Sequence, residues 1–235
     1  MSQGSVIGEE IARFDALAAR WWDRHGPMRP LHMMNAPRAA WVAARARRDC
    51  GAGAAVLDVG CGAGLLAEAL AKDGFAVTGL DAGAEVIAVA RAHAEGQGLD
   101  LTYRQGTAEA LAAEGAVFPV VTALEIIEHV ADPAAFLASL RALLAPGGRL
   151  FLSTLNRTPR SYAVAKLGAE YMLRLLPVGT HDWKMFIKPE ELGRLCREAG
   201  LRLTETAGLS FSPLARGFTV SRDLSVNYIA MAVAA

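Results

Sequence analysis

Between residues 54 and 153 short apolar runs alternate with segments of helical period, and this rhythm constrains the fold more than any other feature of the chain. Residues 54–59 read as a buried strand, 65–73 as a helix closed by Gly74, and 76–80 as a second strand. Residues 84–97 follow as a helix ended by Gly98, 101–105 as a third strand and 117–124 as a very apolar fourth. A helix over 133–144 is opened by Asp132-Pro133 and closed by Pro146-Gly147-Gly148, ahead of a strand over 149–153. Strands separated by single helices need right-handed crossovers, so the expected fold class is α/β, a doubly wound, mostly parallel sheet.

The flanks are less regular. Ile11, Phe14, Leu17, Trp21 and Trp22 keep a helical period, which predicts a helix over 6–23. Asn35 as cap and Pro37 in the first turn predict a second helix running to residue 49. Residues 154–188 carry no strand signal. A helix over 189–199, with Glu190 and Glu191 in its first turn, and strands near 201–206 and 226–233 then complete a seven-stranded sheet. The reading is one domain: N-terminal helices over 1–50, a core over 54–153, a helical insertion over 154–188 and a C-terminal part over 189–235.

Composition narrows the function classes. The 235 residues hold 24 Lys and Arg against 24 Asp and Glu, so the chain lacks the basic excess of a nucleic-acid binder. With 53% hydrophobic residues it can fill a core and does not read as disordered. Cys50, Cys61 and Cys196 form no CxxC pair, which argues against a zinc ribbon or a disulfide scaffold and suits a reducing cytoplasm. Glu9, Glu10 and Asp15 stand where a signal peptide would need an apolar run, and no stretch of 18 apolar residues occurs.

The most informative segment is Val56-Leu57-Asp58-Val59-Gly60-Cys61-Gly62-Ala63-Gly64, which leaves a strand and enters a helix, where open α/β sheets bind ligands. Its glycines are spaced GxGxG, and Leu65 stands where a dinucleotide fingerprint would place its last glycine, which disfavours a nicotinamide dehydrogenase. The next strand ends in Asp81, where a carboxylate can accept both hydroxyls of a ribose. Together these features resemble the class I S-adenosylmethionine-dependent methyltransferases. The resemblance implies that Gly60, Gly62 and Gly64 flank the methionyl part of the cofactor, Asp81 takes the ribose, Thr107 and Ala108 of Gly106-Thr107-Ala108-Glu109 approach the adenine, and Leu124 touches the ligand. Pro119 departs from the family pattern, which often has Asp there, and it leaves the start of the fourth strand open.

The flanking words narrow the resemblance. Phe14 to Asp23 (FDALAARWWD), Pro30 to Arg38 (PLHMMNAPR), Ser153-Thr-Leu-Asn-Arg157, Gly179-Thr-His-Asp182 and Val226-Asn-Tyr228 are similar to the O-methyltransferases of ubiquinone biosynthesis over nearly the whole chain. That resemblance implies methyl transfer to a phenolic hydroxyl of a 2-polyprenyl-6-hydroxyphenol and of a 3-demethylubiquinol. It also implies cofactor contact by Arg38, a cytoplasmic enzyme at the inner face of a membrane, and association with other enzymes of ubiquinone biosynthesis. A methyltransferase of an unrelated small phenol and a cofactor-binding protein without catalysis are the alternatives.

A phenol is a weak nucleophile until it loses its proton, at a pKa of roughly 10 by analogy with tyrosine. Glu125-Ile126-Ile127-Glu128-His129 follows the fourth strand, and a helical turn starting there would bring Glu125, Glu128 and His129 to one face. Those three could hold Mg²⁺ against vicinal ring oxygens, as some members of the resembling family do. Alternatively, His129 acts alone as base, or the glutamates only cap the next helix. His181 is the next candidate base. Residues 161–176 read as a very apolar helix with Lys166, Glu170 and Arg174 on one stripe, either packed on the domain or serving as a lid for a prenyl tail that touches a membrane surface.

Overall fold

The computed structural model describes residues 7–163, 183–212 and 217–235. Eight strands form one sheet: β1 (Ala55–Val59), β2 (Ala76–Asp81), β3 (Leu101–Gln105), β4 (Phe118–Leu124), β5 (Leu144–Leu155), β6 (Leu201–Ser212), β7 (Gly217–Ser221) and β8 (Asn227–Ala234), in the order β3-β2-β1-β4-β5-β8-β6-β7. The five strands from β3 to β5 in that order are joined in parallel, and β8 inserts antiparallel between β5 and β6. The doubly wound fold is therefore as expected, but the sheet has eight strands and not seven. The extra strand arises because β6 continues to Ser212 and returns as an antiparallel hairpin through β7, pairing Gly208 with Ser221 and Ser212 with Gly217.

The central strands alternate sides, which is why they read as unbroken apolar runs. Leu57, Val121, Leu150, Leu152, Ala230 and Ala232 face one core, while Val56, Val120, Phe151, Ile229 and Met231 face the other. Helices α5 (Ala108–Ala113), α6 (Pro133–Ala142) and α7 (Pro189–Glu198) cover the first side through Leu111, Leu137, Leu140 and Leu192. Helices α2 (Arg29–Cys50), α3 (Leu65–Lys72) and α4 (Ala84–Ala94) cover the second through Val42, Ala46, Leu66, Leu70 and Ile87. Each fully buried leucine contributes about 1.5–3 kcal/mol by leaving water, so a sheet covered on both faces is held mainly by these two layers.

Several local expectations change. The N-terminal helix α1 spans only Gly8–Asp15 and is followed by a short 3-10 turn, Ala18–Arg20, so Trp21 and Trp22 are carried by a turn. Helix α2 begins at Arg29, with Pro30 in the first turn and Pro37 inside. Asn35 is no cap, because its amide donates to the Leu65 carbonyl (2.6 Å) and its carbonyl accepts from Arg38 Nε (3.3 Å). Pro119 sits where the β4–β5 register slips between Phe118 and Val120, which accommodates a residue without an N–H. Most of the helix expected over 161–176, and His181, lie outside the described residues.

Candidate active site

The carboxyl ends of β1 to β4 open into one cavity, with α1 and the turn after it forming its far wall. Asp81 ties three of those ends together. Its Oδ2 accepts from Gly62 N and its Oδ1 from Gly83 N (both 2.9 Å), and its carbonyl accepts from Gly106 N (2.8 Å). The Leu80 carbonyl accepts from Gly60 N (2.7 Å) and Cys61 N (3.1 Å). Burial raises the Asp81 pKa, against the lowering effect of the Gly83 and Gly62 N–H groups. A carboxylate has about four lone-pair sites, so these backbone N–H groups do not exhaust its capacity to accept from a ligand.

The three loop glycines all lie at positive φ, and each is also demanded by a side chain of the protein itself. A Cβ on Gly60 would stand 2.2 Å from Ile126 Cδ1, one on Gly62 2.2 Å from Trp21 Cζ2, and one on Gly64 1.9 Å from the Tyr103 hydroxyl. Trp22 Nε1 donates to the Ala63 carbonyl (3.0 Å), so the Trp21-Trp22 pair closes the loop from outside. Packing, beside ligand access, thus fixes this spacing.

Two buried charges stand beside the loop. Asp58, 3% exposed, accepts from Thr122 Oγ1 (2.6 Å), while its Oδ2 is buried without a hydrogen-bond partner. Burial pushes its pKa up to about 6, with Thr122 and then Arg38 pulling the other way. Arg38 is 5% exposed; burial lowers its pKa and the nearby Glu125 and Asp58 raise it. Both line the cavity, so an amino-acid zwitterion has a cation for its carboxylate and a carboxylate for its ammonium. With Asp81 for a diol and Leu124, Thr107 and Ala108 further along the wall, the lining fits S-adenosylmethionine. The Thr107 side chain itself caps α5, accepting from Ala110 N (3.3 Å).

The segment after β4 departs from the expected helical turn. Glu125 has φ 57°, the sole positive φ on a non-glycine among the described residues, and the 3-10 turn begins only at Ile127. Its carboxylate accepts from Ser153 Oγ (2.7 Å) and from Asn227 Nδ2 (3.0 and 3.2 Å). Glu128 is buried, and burial followed by the proximity of Glu125 holds its carboxyl well above the usual carboxylate range. His129 turns the other way, with Nδ1 2.9 Å from Glu10 Oε2 on α1 and its ring edge-to-face with Phe14. Among the described residues no three His, Cys, Asp or Glu side chains are grouped to hold a metal ion. The three residues as arranged therefore do not fit Mg²⁺: His129 would have to leave Glu10, and Glu125 would have to leave Ser153 and Asn227. Asn227, Ser153 and Glu10 were not singled out from sequence, because they lie 102, 28 and 119 positions from their partners.

Residues 32–206 match a family model described as a methyltransferase domain. The chain is 50% identical over 226 residues to the ubiquinone biosynthesis O-methyltransferase of Azotobacter vinelandii, with 96% of each chain covered. It is 48% identical to that of Cereibacter sphaeroides, with 99% and 98% covered. Among solved structures, a magnesium protoporphyrin IX methyltransferase from Synechocystis with bound S-adenosylhomocysteine superposes with a TM-score of 0.67 at 21% identity, covering 97% of this chain and all of that one. On these near full-length identities and the matching family model, the chain belongs to the ubiquinone biosynthesis O-methyltransferase family of S-adenosylmethionine-dependent enzymes.

Proposed function

We propose that the protein methylates phenolic hydroxyls of polyprenylated ubiquinone precursors, with 2-polyprenyl-6-hydroxyphenol and 3-demethylubiquinol as acceptors and His129 as the base. S-adenosylmethionine supplies, when bound, a sulfonium methyl group that needs no further activation. The observation that carries the reading is that buried Arg38 and Asp58, whose Oδ2 has no hydrogen-bond partner within the protein, line one cavity together with His129, which is held by Phe14 and Glu10. Arg38 and Asp58 would hold the amino-acid end of the cofactor, Asp81 its ribose, and the backbone at Gly60 and Gly62, which line the cavity, would leave its sulfur region unobstructed, while Gly64 is packed against Tyr103 instead. Ile11, Phe14, Ile126 and Phe136 give the acceptor ring apolar walls.

Burial lowers the His129 pKa, against the raising effect of Glu10 and Glu125, which favours the neutral ring that a base requires. Among the described residues no helix is long and apolar enough to cross a membrane; contact of residues 161–176 with a membrane surface, and association with other enzymes of ubiquinone biosynthesis, are readings from sequence that suit an acceptor with a prenyl tail. The test is turnover of S-adenosylmethionine with a short-chain demethylubiquinol, reading product mass and ring position. The expected product carries one added methyl on the ring oxygen, and turnover of small phenols at the same efficiency would favour the unrelated-phenol reading.

A further inference from the structure

Helix α1 places a carboxylate of the cavity lining against the ring of His129. Glu10 Oε2 lies 2.9 Å from Nδ1, and Glu10 Oε1 accepts from Arg13 Nη1 (3.3 Å) one turn further along the helix. The carboxylate is thus steered from one side and presents its second oxygen to the imidazole. Phe14, on the same helix, meets the ring edge-on at 5.6 Å and 90°, and the His129 backbone N–H is tied to the Ile126 carbonyl (2.8 Å). Asp15 anchors the helix end by accepting from Val86 N (3.1 Å).

We infer that Glu10 is a positioning residue for methyl transfer, fixing His129 in the tautomer that carries its proton on Nδ1 and so making Nε2 the basic nitrogen. An ionised carboxylate accepts but does not donate, so the nitrogen beside it is the one that keeps the hydrogen. Glu10 Oε2 is buried, and its contact with the imidazole raises the His129 pKa against the lowering effect of burial. The inference rests on the reading of His129 as base. It adds that the active site is incomplete without the N-terminal helix, which lies outside the 54–153 core.

The test uses the full-length chain labelled with ¹⁵N-histidine, whose five imidazoles report their tautomers in long-range ¹H–¹⁵N spectra, with His129 assigned from His129→Gln. Glu10→Leu removes the acceptor and Glu10→Gln restores an oxygen without the charge. The expected result is that Glu10→Leu moves the His129 proton toward Nε2 and lowers kcat about tenfold or more, with S-adenosylmethionine affinity held within about twofold. Glu10→Gln is expected to recover the tautomer and part of kcat. An unchanged tautomer in folded, cofactor-binding Glu10→Leu overturns the inference, as does an unchanged kcat. If His129→Gln turns over like the parent protein, the base reading itself fails, and that outcome is separate from the tautomer measurement.

Discussion

The wall of the cavity at the ends of β1, β2 and β3 is organised by backbone N–H groups gathered on Asp81, whereas the wall after β4 is organised by side chains from α1 and a short turn, backed by β5 and β8. In the first, Asp81 gathers N–H groups from the loop itself and from two neighbouring loops, so its parts lie within a few residues of strand ends. In the second, Glu125 is held by Ser153 and Asn227, and His129 by Glu10 and Phe14. The difference separates two requirements. Every acceptor needs the same methyl donor, which a fixed backbone cradle serves, while proton removal needs a side chain whose environment can be tuned.

The largest expected effect breaks the first wall. In Gly62→Val the branched side chain must adopt φ near 52° and displace Trp21, whose ring lies 2.2 Å from the new Cβ. Left-handed strain and overpacking together cost about 2–5 kcal/mol. Calorimetry and thermal melting are expected to show loss of cofactor binding together with lowered stability, and a variant with parental affinity would mean the loop is not the cradle.

A smaller effect follows from the buried carboxyl on β1. The Asp58 carboxyl, pushed up to about 6 by burial, keeps a proton in the folded protein that the unfolded chain releases near pH 4. Fewer protons are bound in the unfolded state over that interval, so this group makes stability fall as pH rises from about 4 to 6, and its contribution is flat above. Asp58→Asn removes that dependence. At pH 7 the variant is expected to gain on the order of 2–3 kcal/mol of stability while binding S-adenosylmethionine more weakly. Melting temperatures across pH check the first part, and an unchanged slope between pH 4 and 6 would exclude Asp58 as its source.

How far the sequence could be read follows the same division. The crossover strands, Asp58, Asp81 and the glycine spacing were legible because each is local, fixed by periodicity or by a loop a few residues long. The strand β7 was not, since Phe218-Thr219-Val220 is too short and half-exposed to stand out, and it pairs only because β6 runs on past Thr206. The i, i+3, i+4 spacing of a helical turn would put Glu125, Glu128 and His129 on one face. Instead, Glu125 takes a left-handed backbone, pinned by Ser153, which breaks the turn before it starts. Glu10 was visible only as an acidic residue in an amphipathic helix, because its partner lies 119 positions away.

The smallest effect sharpens which wall Thr107 belongs to. Its hydroxyl caps α5, so Thr107→Ala is expected to cost about 1 kcal/mol of stability and to change cofactor affinity by less than about twofold. Denaturant unfolding and calorimetry on the same sample check this. A tenfold loss of affinity would show that the hydroxyl serves the ligand instead.

The division between a binding wall and a proton-transfer wall is tested most directly by measuring S-adenosylmethionine affinity and demethylubiquinol turnover together in Asp81→Asn and His129→Gln. Asp81→Asn is expected to weaken the cofactor about tenfold or more, since a charge-assisted hydrogen bond is worth about 1.5–3 kcal/mol. His129→Gln is expected to bind it within about twofold of the parent while losing about 100-fold or more in turnover, the usual range for a general base. Full turnover in His129→Gln, or parental affinity in folded Asp81→Asn, would contradict the account.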